Sequence, residues 1–106
     1  KGPFLKRFSM MKEIEKSWNE FSVKPFPEDC VGLEIEGIDV VSLDTFSAGC
    51  IDTFIANKGS LDTKRISMLK ISLQELDKVV NHLEGKAKSY FEHLRLLARQ
   101  LLKLIA

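Results

Sequence analysis

The side chains that could do chemistry in this 106-residue chain are two cysteines, two histidines and a run of acids. Cys30, Cys50, His82 and His93 are zinc-ligand types, but their spacings match no zinc site. Neither histidine follows a glutamate by three residues, so the Glu-x-x-His signature of di-iron bundles is missing. Glycine-rich phosphate loops are missing too. The sequence therefore predicts no catalytic, cofactor-binding or metal-binding residue, and we expect a non-enzymatic protein.

The two cysteines are too few for a disulfide scaffold. Cys50 falls in an apolar pattern, where a free thiol usually acts as a small hydrophobic side chain. This usage favours a reducing compartment and free thiols, with a single Cys30–Cys50 bridge as the alternative. An enzyme that used Cys50 or the acidic loop is a further alternative, although no local motif supplies a base for the thiol.

The acids are concentrated in one interval. No Lys or Arg lies between Lys24 and Lys58, so this interval carries a charge of −7, the rest of the chain +8, and the whole chain +1. We expect the acids to lie beside basic faces of the other helices. The alternative is an acidic end that binds a cation or a basic partner. The seven acids are Glu28, Asp29, Glu34, Glu36, Asp39, Asp44 and Asp52.

Length and composition predict a single globular domain over residues 1–106, with 44% apolar and 29% charged residues. The near-neutral charge argues against a nucleic-acid-binding protein. No run of 18 apolar residues exists, so we predict no membrane span and an intracellular, cytoplasmic location. The chain begins at Lys1 without a methionine, so we expect a trimmed or processed product whose targeting segment, if any, lies upstream.

Apolar periodicity predicts four helices, over residues 4–21, 39–57, 61–84 and 86–106. Pro25 and Pro27 end the first helix. Residues 22–38 are predicted to be an ordered loop anchored by Phe26, Val31, Leu33 and Ile35, because a lone strand there would have no partner. Short links, the second of them Gly85, make the last three helices antiparallel. The predicted fold is an all-α, four-helix antiparallel bundle with a long acidic crossover loop between helices 1 and 2.

Helix 2 contains a run of four small residues, Ser47 to Cys50. Gly49 in a helix interior costs about 1 kcal/mol relative to alanine. We expect this cost to permit the close approach of a neighbouring helix, with a kink or a bound ligand as the alternative. The candidate ligand or partner contacts are Phe46, Ser47, Ala48, Gly49, Cys50, Phe54, Tyr90 and Phe91.

Residues 37–44, followed by Ala48-Gly49-Cys50-Ile51 and Thr53-Phe54, form one characteristic group of segments. Tyr90-Phe91 with Leu94, Leu97 and Ala98 forms another. Together they resemble a family of small plant proteins of unknown function, over roughly residues 30–102. The resemblance implies a plant intracellular protein and assigns no activity or site.

Broad apolar faces on helices 2 and 4 predict an interaction module, with a homodimer or another protein as the partner. The alternative is a bundle that binds a small apolar ligand between its helices. Helix 4 also carries a basic row, which we interpret as a solvated bundle face rather than a membrane-surface helix. That row is Lys88, Arg95, Arg99 and Lys103.

Overall fold

A computed structural model describes residues 2–105 of this chain, with side chains from Leu5 to Ile105. These residues form four α-helices and a small antiparallel hairpin, so the all-α bundle predicted from the sequence is confirmed. The elements are α1 (Gly2–Ser22), a 3₁₀ turn (Glu28–Cys30), β1 (Glu34–Ile35), β2 (Ile38–Asp39), α2 (Val40–Ala56), α3 (Thr63–Val80) and α4 (Gly85–Ile105).

Helix α4 is the centre of the bundle and packs against α1, α2 and α3. Its two adjacent apolar rows are buried by these three helices, and Phe91, Leu94, Leu97 and Leu101 are fully buried. The wide apolar face of helix 4 is therefore covered by other helices of the same chain. Leu96 is the exception, since it is 49% exposed.

Helices α2 and α3 both begin at an aspartate. A carboxylate oxygen of Asp39 accepts a hydrogen bond from the Ser42 backbone N–H, and Asp62 does the same for Arg65. These contacts satisfy N–H groups that a helix start leaves without intrahelical partners.

The start of α1 lies against the ends of α2 and α4. The Arg7 guanidinium donates hydrogen bonds to the carbonyl of Gly59, at 2.9 Å, and to that of Leu104, at 3.4 Å. At this end of α1 the predicted apolar stripe is only partly buried. Phe8 is 56% exposed, whereas Ile14 and Phe21 are buried. The stripe's first residue, Phe4, has its side chain outside the described part of the structure.

Helix α3 is shorter than predicted. The apolar spacing extends to Leu83 and predicts helix up to Glu84, but α3 ends at Val80. Backbone hydrogen bonds from His82 to Val79 and from Leu83 to Val80 form a tight turn there. The turn still directs Leu83 into the core, so periodicity alone could not locate the helix end.

The prediction that residues 31–36 lack a strand partner is wrong. Strand β1 pairs with β2 only two residues later, with Ile35 opposite Ile38. Both turn residues, Glu36 and Gly37, have positive φ, as in the hairpin turn of type I′. The two isoleucines are buried, and this burial anchors the hairpin on the bundle. Val31, a predicted anchor, is instead 70% exposed.

Candidate functional site

A groove of about 300 Å³ lies on the outside of the bundle between α2 and α3. Phe46 of α2 and Met68 and Ile71 of α3 line it with apolar surface. Met68 is 40% exposed and Ile71 is 58% exposed. Adjacent exposed apolar side chains are typical of contact surfaces. In the alternative of a ligand-binding bundle, the sequence predicts that Met68 lines an apolar cavity beside the small residues of helix 2, whereas Ile71 is assigned to no site. One indication of their exposure is present in the sequence, since both residues lie to one side of the apolar row that contains Leu69 and Leu76.

Gly49 lies less than one turn beyond Phe46, on the exposed side of α2. A Cβ atom built on Gly49 would meet no atom within 4 Å. The predicted close approach of a neighbouring helix at Gly49 is therefore wrong for the described part of the chain. The backbone does not require a glycine either, because Gly49 is not among the residues with positive φ. We call the groove surface of Phe46, Met68 and Ile71, together with the exposed Gly49 three positions beyond Phe46, the α2–α3 face. Gly49 does not itself line the groove.

The other candidate contact residues do not join this surface. On α2, Ser47, Cys50 and Phe54 point into the core, and Ala48 is half-buried. The Ser47 hydroxyl is buried and has no hydrogen-bond partner among the described residues. Of the predicted set, only Phe46 and Gly49 therefore belong to the α2–α3 face. The remaining two candidates, Tyr90 and Phe91, lie on α4 and are buried.

A larger groove, of about 1130 Å³, separates residues 24–29 from the start of α4. Phe26 and Tyr90 line it, and their rings meet edge to face with centroids 5.7 Å apart. Of the predicted contact residues only Tyr90 lines this groove. Phe26 was expected only to anchor the loop, although Pro25 and Pro27 on either side of it could have indicated an extended wall. The charged residues that line the groove have both signs: Lys24, Glu28, Asp29, Glu84 and Lys86.

Tyr90 also connects α4 to the start of α2. Its hydroxyl donates a hydrogen bond of 2.7 Å to Oδ1 of Asp44. Burial raises the pKa of Asp44, and the hydrogen bond from Tyr90 partly opposes this shift. Burial, the hydrogen bond and the charge of Asp44 all raise the pKa of Tyr90. The pair is therefore a protonated phenol that stabilises a partly buried carboxylate.

A serine and a histidine on α1 and α4 resemble a nucleophile with its base. His93 Nε2 lies 2.9 Å from Ser17 Oγ, and His93 Nδ1 lies 2.8 Å from Lys24 Nζ. A lysine ammonium can only donate, so Nδ1 accepts from Lys24 and the ring proton sits on Nε2. Nε2–H then donates to Ser17 and has no free lone pair for the serine proton. This tautomer is the wrong one for general-base catalysis.

The charge state of His93 follows from the same neighbours. Burial and the Lys24 ammonium lower the pKa of His93, with smaller opposing effects from Ser17 and Glu20. The neutral ring is therefore favoured in the folded chain.

Both cysteines are free and buried, so the Cys30–Cys50 bridge is absent. Burial raises the pKa of each thiol, which keeps the thiol protonated and weakly nucleophilic near neutral pH. Among the described side chains, no group of three His, Cys, Asp or Glu residues is arranged to hold a metal ion.

Among the described side chains, no lysine or arginine forms a salt bridge with the acidic interval. Lys24 and Lys86 nevertheless line the same groove as Glu28 and Asp29. Of its seven acids, only Glu36 lies within salt-bridge distance of a basic side chain among the described residues, with its Oε2 2.6 Å from Nε2 of His82. The described arginine ion pairs use other acids: Arg65 binds Asp62, and Arg95 and Arg99 both bind Asp77.

The charges divide between the two ends of the bundle. We call the end where α4 begins the acidic end, and the end where α3 begins the basic end. The acidic end carries Glu28, Asp29, Glu34, Glu36, Asp39, Asp44 and Glu84, and Lys24 and Lys86 also lie there. The basic end carries Lys6, Arg7, Lys58, Lys64 and Arg65.

No family model, no curated protein and no solved structure matches this chain. The resemblance to a plant protein family therefore stays a prediction. Within the described residues, no helix combines the length and the apolar character that a membrane crossing requires.

Proposed function

We propose that this chain is a non-enzymatic helical interaction module that self-associates through the α2–α3 face. The observation that carries the proposal is Gly49, a residue that costs helix stability and that no contact or backbone angle of the described chain requires. A second copy packed on this face would explain it, because glycine permits a close approach of another backbone.

The apolar side chains of the groove, Phe46, Met68 and Ile71, supply a driving force for association. Complete burial of an Ile or Met side chain contributes about 1.5–3 kcal/mol. Ile71 and Met68 are roughly half exposed, so each has about 1 kcal/mol left to gain in each copy. Since association costs at least about 4 kcal/mol in lost freedom, we expect a weak dimer.

The order of side chains along α3 suits a two-fold axis. Most oligomers of identical chains are closed two-fold dimers. If α3 crosses α3 of a second copy in antiparallel fashion between Met68 and Ile71, Met68 meets Ile71 of that copy. Lys64 and Glu75 lie symmetrically about the same point, so Lys64 then meets Glu75 of the second copy. Neither residue has an ion-pair partner among the described side chains.

The size of the face agrees with a weak dimer. Helices α2 and α3 have 17 and 18 residues, and are thus about 26 Å long. Two helices about 10 Å apart present a strip about 20 Å wide. Pairing two such strips buries about 1,000 Å² in total, at the lower limit of specific interfaces.

Sedimentation velocity over a concentration series tests this proposal. We expect the native chain to pass from monomer to dimer as its concentration rises. Ile71→Glu should keep it monomeric, because each dimer would bury two carboxylates without partners. Leu96→Glu is the matched control, since Leu96 is similarly exposed but lies on α4, and it should leave the dimer intact.

Two results would contradict the proposal. One is a native chain that stays monomeric at millimolar concentration. The other is equal loss of the dimer in Leu96→Glu and Ile71→Glu, which would place the contact elsewhere.

A second candidate function is the binding of a small apolar ligand in the groove between residues 24–29 and α4. The aromatic wall of Phe26 and Tyr90 favours it, because ligand pockets are mostly apolar with a few polar groups. Native mass spectrometry of protein from its own cells should then detect the bound ligand. Ser89→Trp, which fills the groove from an exposed position, should remove that mass. Unchanged binding in the variant would exclude this groove.

A further inference from the structure

Two segments far apart in the chain share one pattern. Lys6-Arg7-Phe8-Ser9-Met10-Met11-Lys12 is repeated as Lys64-Arg65-Ile66-Ser67-Met68-Leu69-Lys70. Five of the seven positions are identical, and the other two exchange one apolar residue for another. Each serine therefore follows an arginine by two positions and a lysine by three, and precedes a methionine.

We propose that Ser9 and Ser67 are phosphorylation sites for a basophilic serine kinase, that is, one whose acidic peptide groove selects basic residues before the serine. Charge patterns around the acceptor are a principal means by which kinases choose substrates. Both serines are exposed. The modification requires only the monomer, so it stands independently of self-association.

Lysine side chains on either side of each serine can balance the charge of an added phosphate. On a helix, residues three positions apart lie on the same side. Ser9 thus lies between Lys6 and Lys12, and all three are exposed. Ser67 lies in the same way between the exposed Lys64 and Lys70. A phosphoserine carries a charge of about −1.5 to −2, which two lysine ammonium groups can balance without loss of the helix.

The two sites differ in the contacts that must break before a kinase can bind the segment around the serine. Arg65 makes an ion pair of 2.7 Å with Asp62 in which both side chains are about half exposed. Such a pair contributes at most about 1 kcal/mol. Only the first turns of α3 must unwind, and helix ends open readily. The Arg7 guanidinium, in contrast, is held by the carbonyls of Gly59 and Leu104. We therefore expect Ser67 to react faster than Ser9.

The reaction consumes ATP. A bond forms between Ser67 Oγ and the γ-phosphorus, while the bond from that phosphorus to the bridging oxygen breaks and releases ADP. The hydroxyl proton passes to the catalytic carboxylate of the kinase.

Incubation of the folded chain with ATP and the catalytic subunit of cyclic-AMP-dependent protein kinase tests this proposal, in dilute solution where the chain is monomeric. Intact-mass and peptide mass spectrometry should find phosphate on Ser67 first and on Ser9 second. Ser22 and Ser42 serve as internal controls, because they are exposed but follow an acidic residue by two or three positions. Arg65→Ala should slow phosphorylation of Ser67 at least tenfold and leave the rate at Ser9 unchanged.

A synthetic peptide of residues 61–73 is the positive control for recognition of the sequence. Phosphorylation of this peptide but not of the folded chain would overturn the proposal, because the helix would then block the site. Equal labelling of Ser22 or Ser42 would also overturn it. Circular dichroism of the doubly phosphorylated chain should show unchanged helix content, and a loss of helix would contradict the accommodation of phosphate between the lysines.

Discussion

Tyr90 and Asp44 form a long-range polar contact at the edge of the core, across 46 positions of the chain. The sequence marks Tyr90 as part of an apolar face and Asp44 as part of an acidic run, and neither pattern indicates that they meet. Local patterns did place Asp39 at the start of a helix and Cys50 in an apolar pattern, because both depend on near neighbours. Contacts between residues distant in sequence depend on helix rotation, which apolar spacing defines too coarsely to predict.

Tyr90→Phe should destabilise the chain by about 1–3 kcal/mol. The substitution keeps the ring packing but leaves the partly buried Asp44 carboxylate without its donor, and an unsatisfied buried group costs this much. Urea denaturation measures the change. A double-mutant cycle with Asp44→Ala, which removes the acceptor, should give a coupling energy clearly above zero. Additive single effects would show that the hydrogen bond does not stabilise the fold.

His93 should make the stability of the chain depend on pH. Its pKa in the folded chain is lowered, so the folded state disfavours the proton that the unfolded ring accepts below about pH 6.5. The contribution of neutral His93 is therefore complete above that pH and is lost as the pH falls toward the lowered value. His93→Gln should lose less stability than the native chain over this range, measured by urea denaturation at each pH.

The Lys24 ammonium is one cause of that lowered pKa. Lys24→Met should therefore move the titration midpoint of His93 upward, as measured by NMR of the ring C–H protons. An unchanged midpoint would leave burial as the only cause and contradict the contact at Nδ1.

At the scale of elements, apolar spacing predicted the four α-helices of the described chain, since the four amphipathic patterns are long and uninterrupted. The hairpin was missed because Glu36-Gly37 is not one of the common Asn-Gly or Asp-Gly turns, and Glu36 adopts a positive φ that is rare for its type. Its carboxylate is held by His82, which lies beyond the end of α3 and 46 positions away, and a local pattern cannot show such a contact.

Gly49→Ala should stabilise α2 by about 0.5–1 kcal/mol. Alanine is the better helix former, and the space around Gly49 is open, so the methyl group meets no atom of the described chain. Urea denaturation of dilute, monomeric protein measures this gain. Gly59→Ala is the matched control, because Gly59 has positive φ and a Cβ atom there would lie 3.2 Å from the sulfur of Met11. Gly59→Ala should destabilise the chain. If Gly49→Ala also lost stability, some group would have to pack against Gly49 in the monomer, contrary to the open space around this residue.

At the scale of the whole molecule, a nearly neutral total conceals a separation of charge. The bundle topology brings the acidic crossover to one end and the starts of α1 and α3 to the other. The imbalance of −7 against +8 is visible in the sequence, from which we expected the acids to lie beside basic faces of the other helices. Composition counts charges without their positions, so only the fold could show that these acids form no salt bridge with a lysine or arginine among the described side chains.

The proposed antiparallel dimer makes a specific charge prediction for α3. Lys64→Glu should weaken the dimer about tenfold or more, because two new carboxylates would face Glu75 of the opposite copy, and like charges in contact are unfavourable. Glu75→Lys added to the same chain should restore the dimer. The new glutamate at position 64 would then face the new lysine at position 75 of the other copy, so opposite charges meet again. Sedimentation equilibrium measures both constants. At high salt the Lys64→Glu defect should shrink, because screening reduces repulsion between exposed charges. A double variant as weak as Lys64→Glu would refute the antiparallel crossing at Met68 and Ile71, while still allowing self-association through another part of the face.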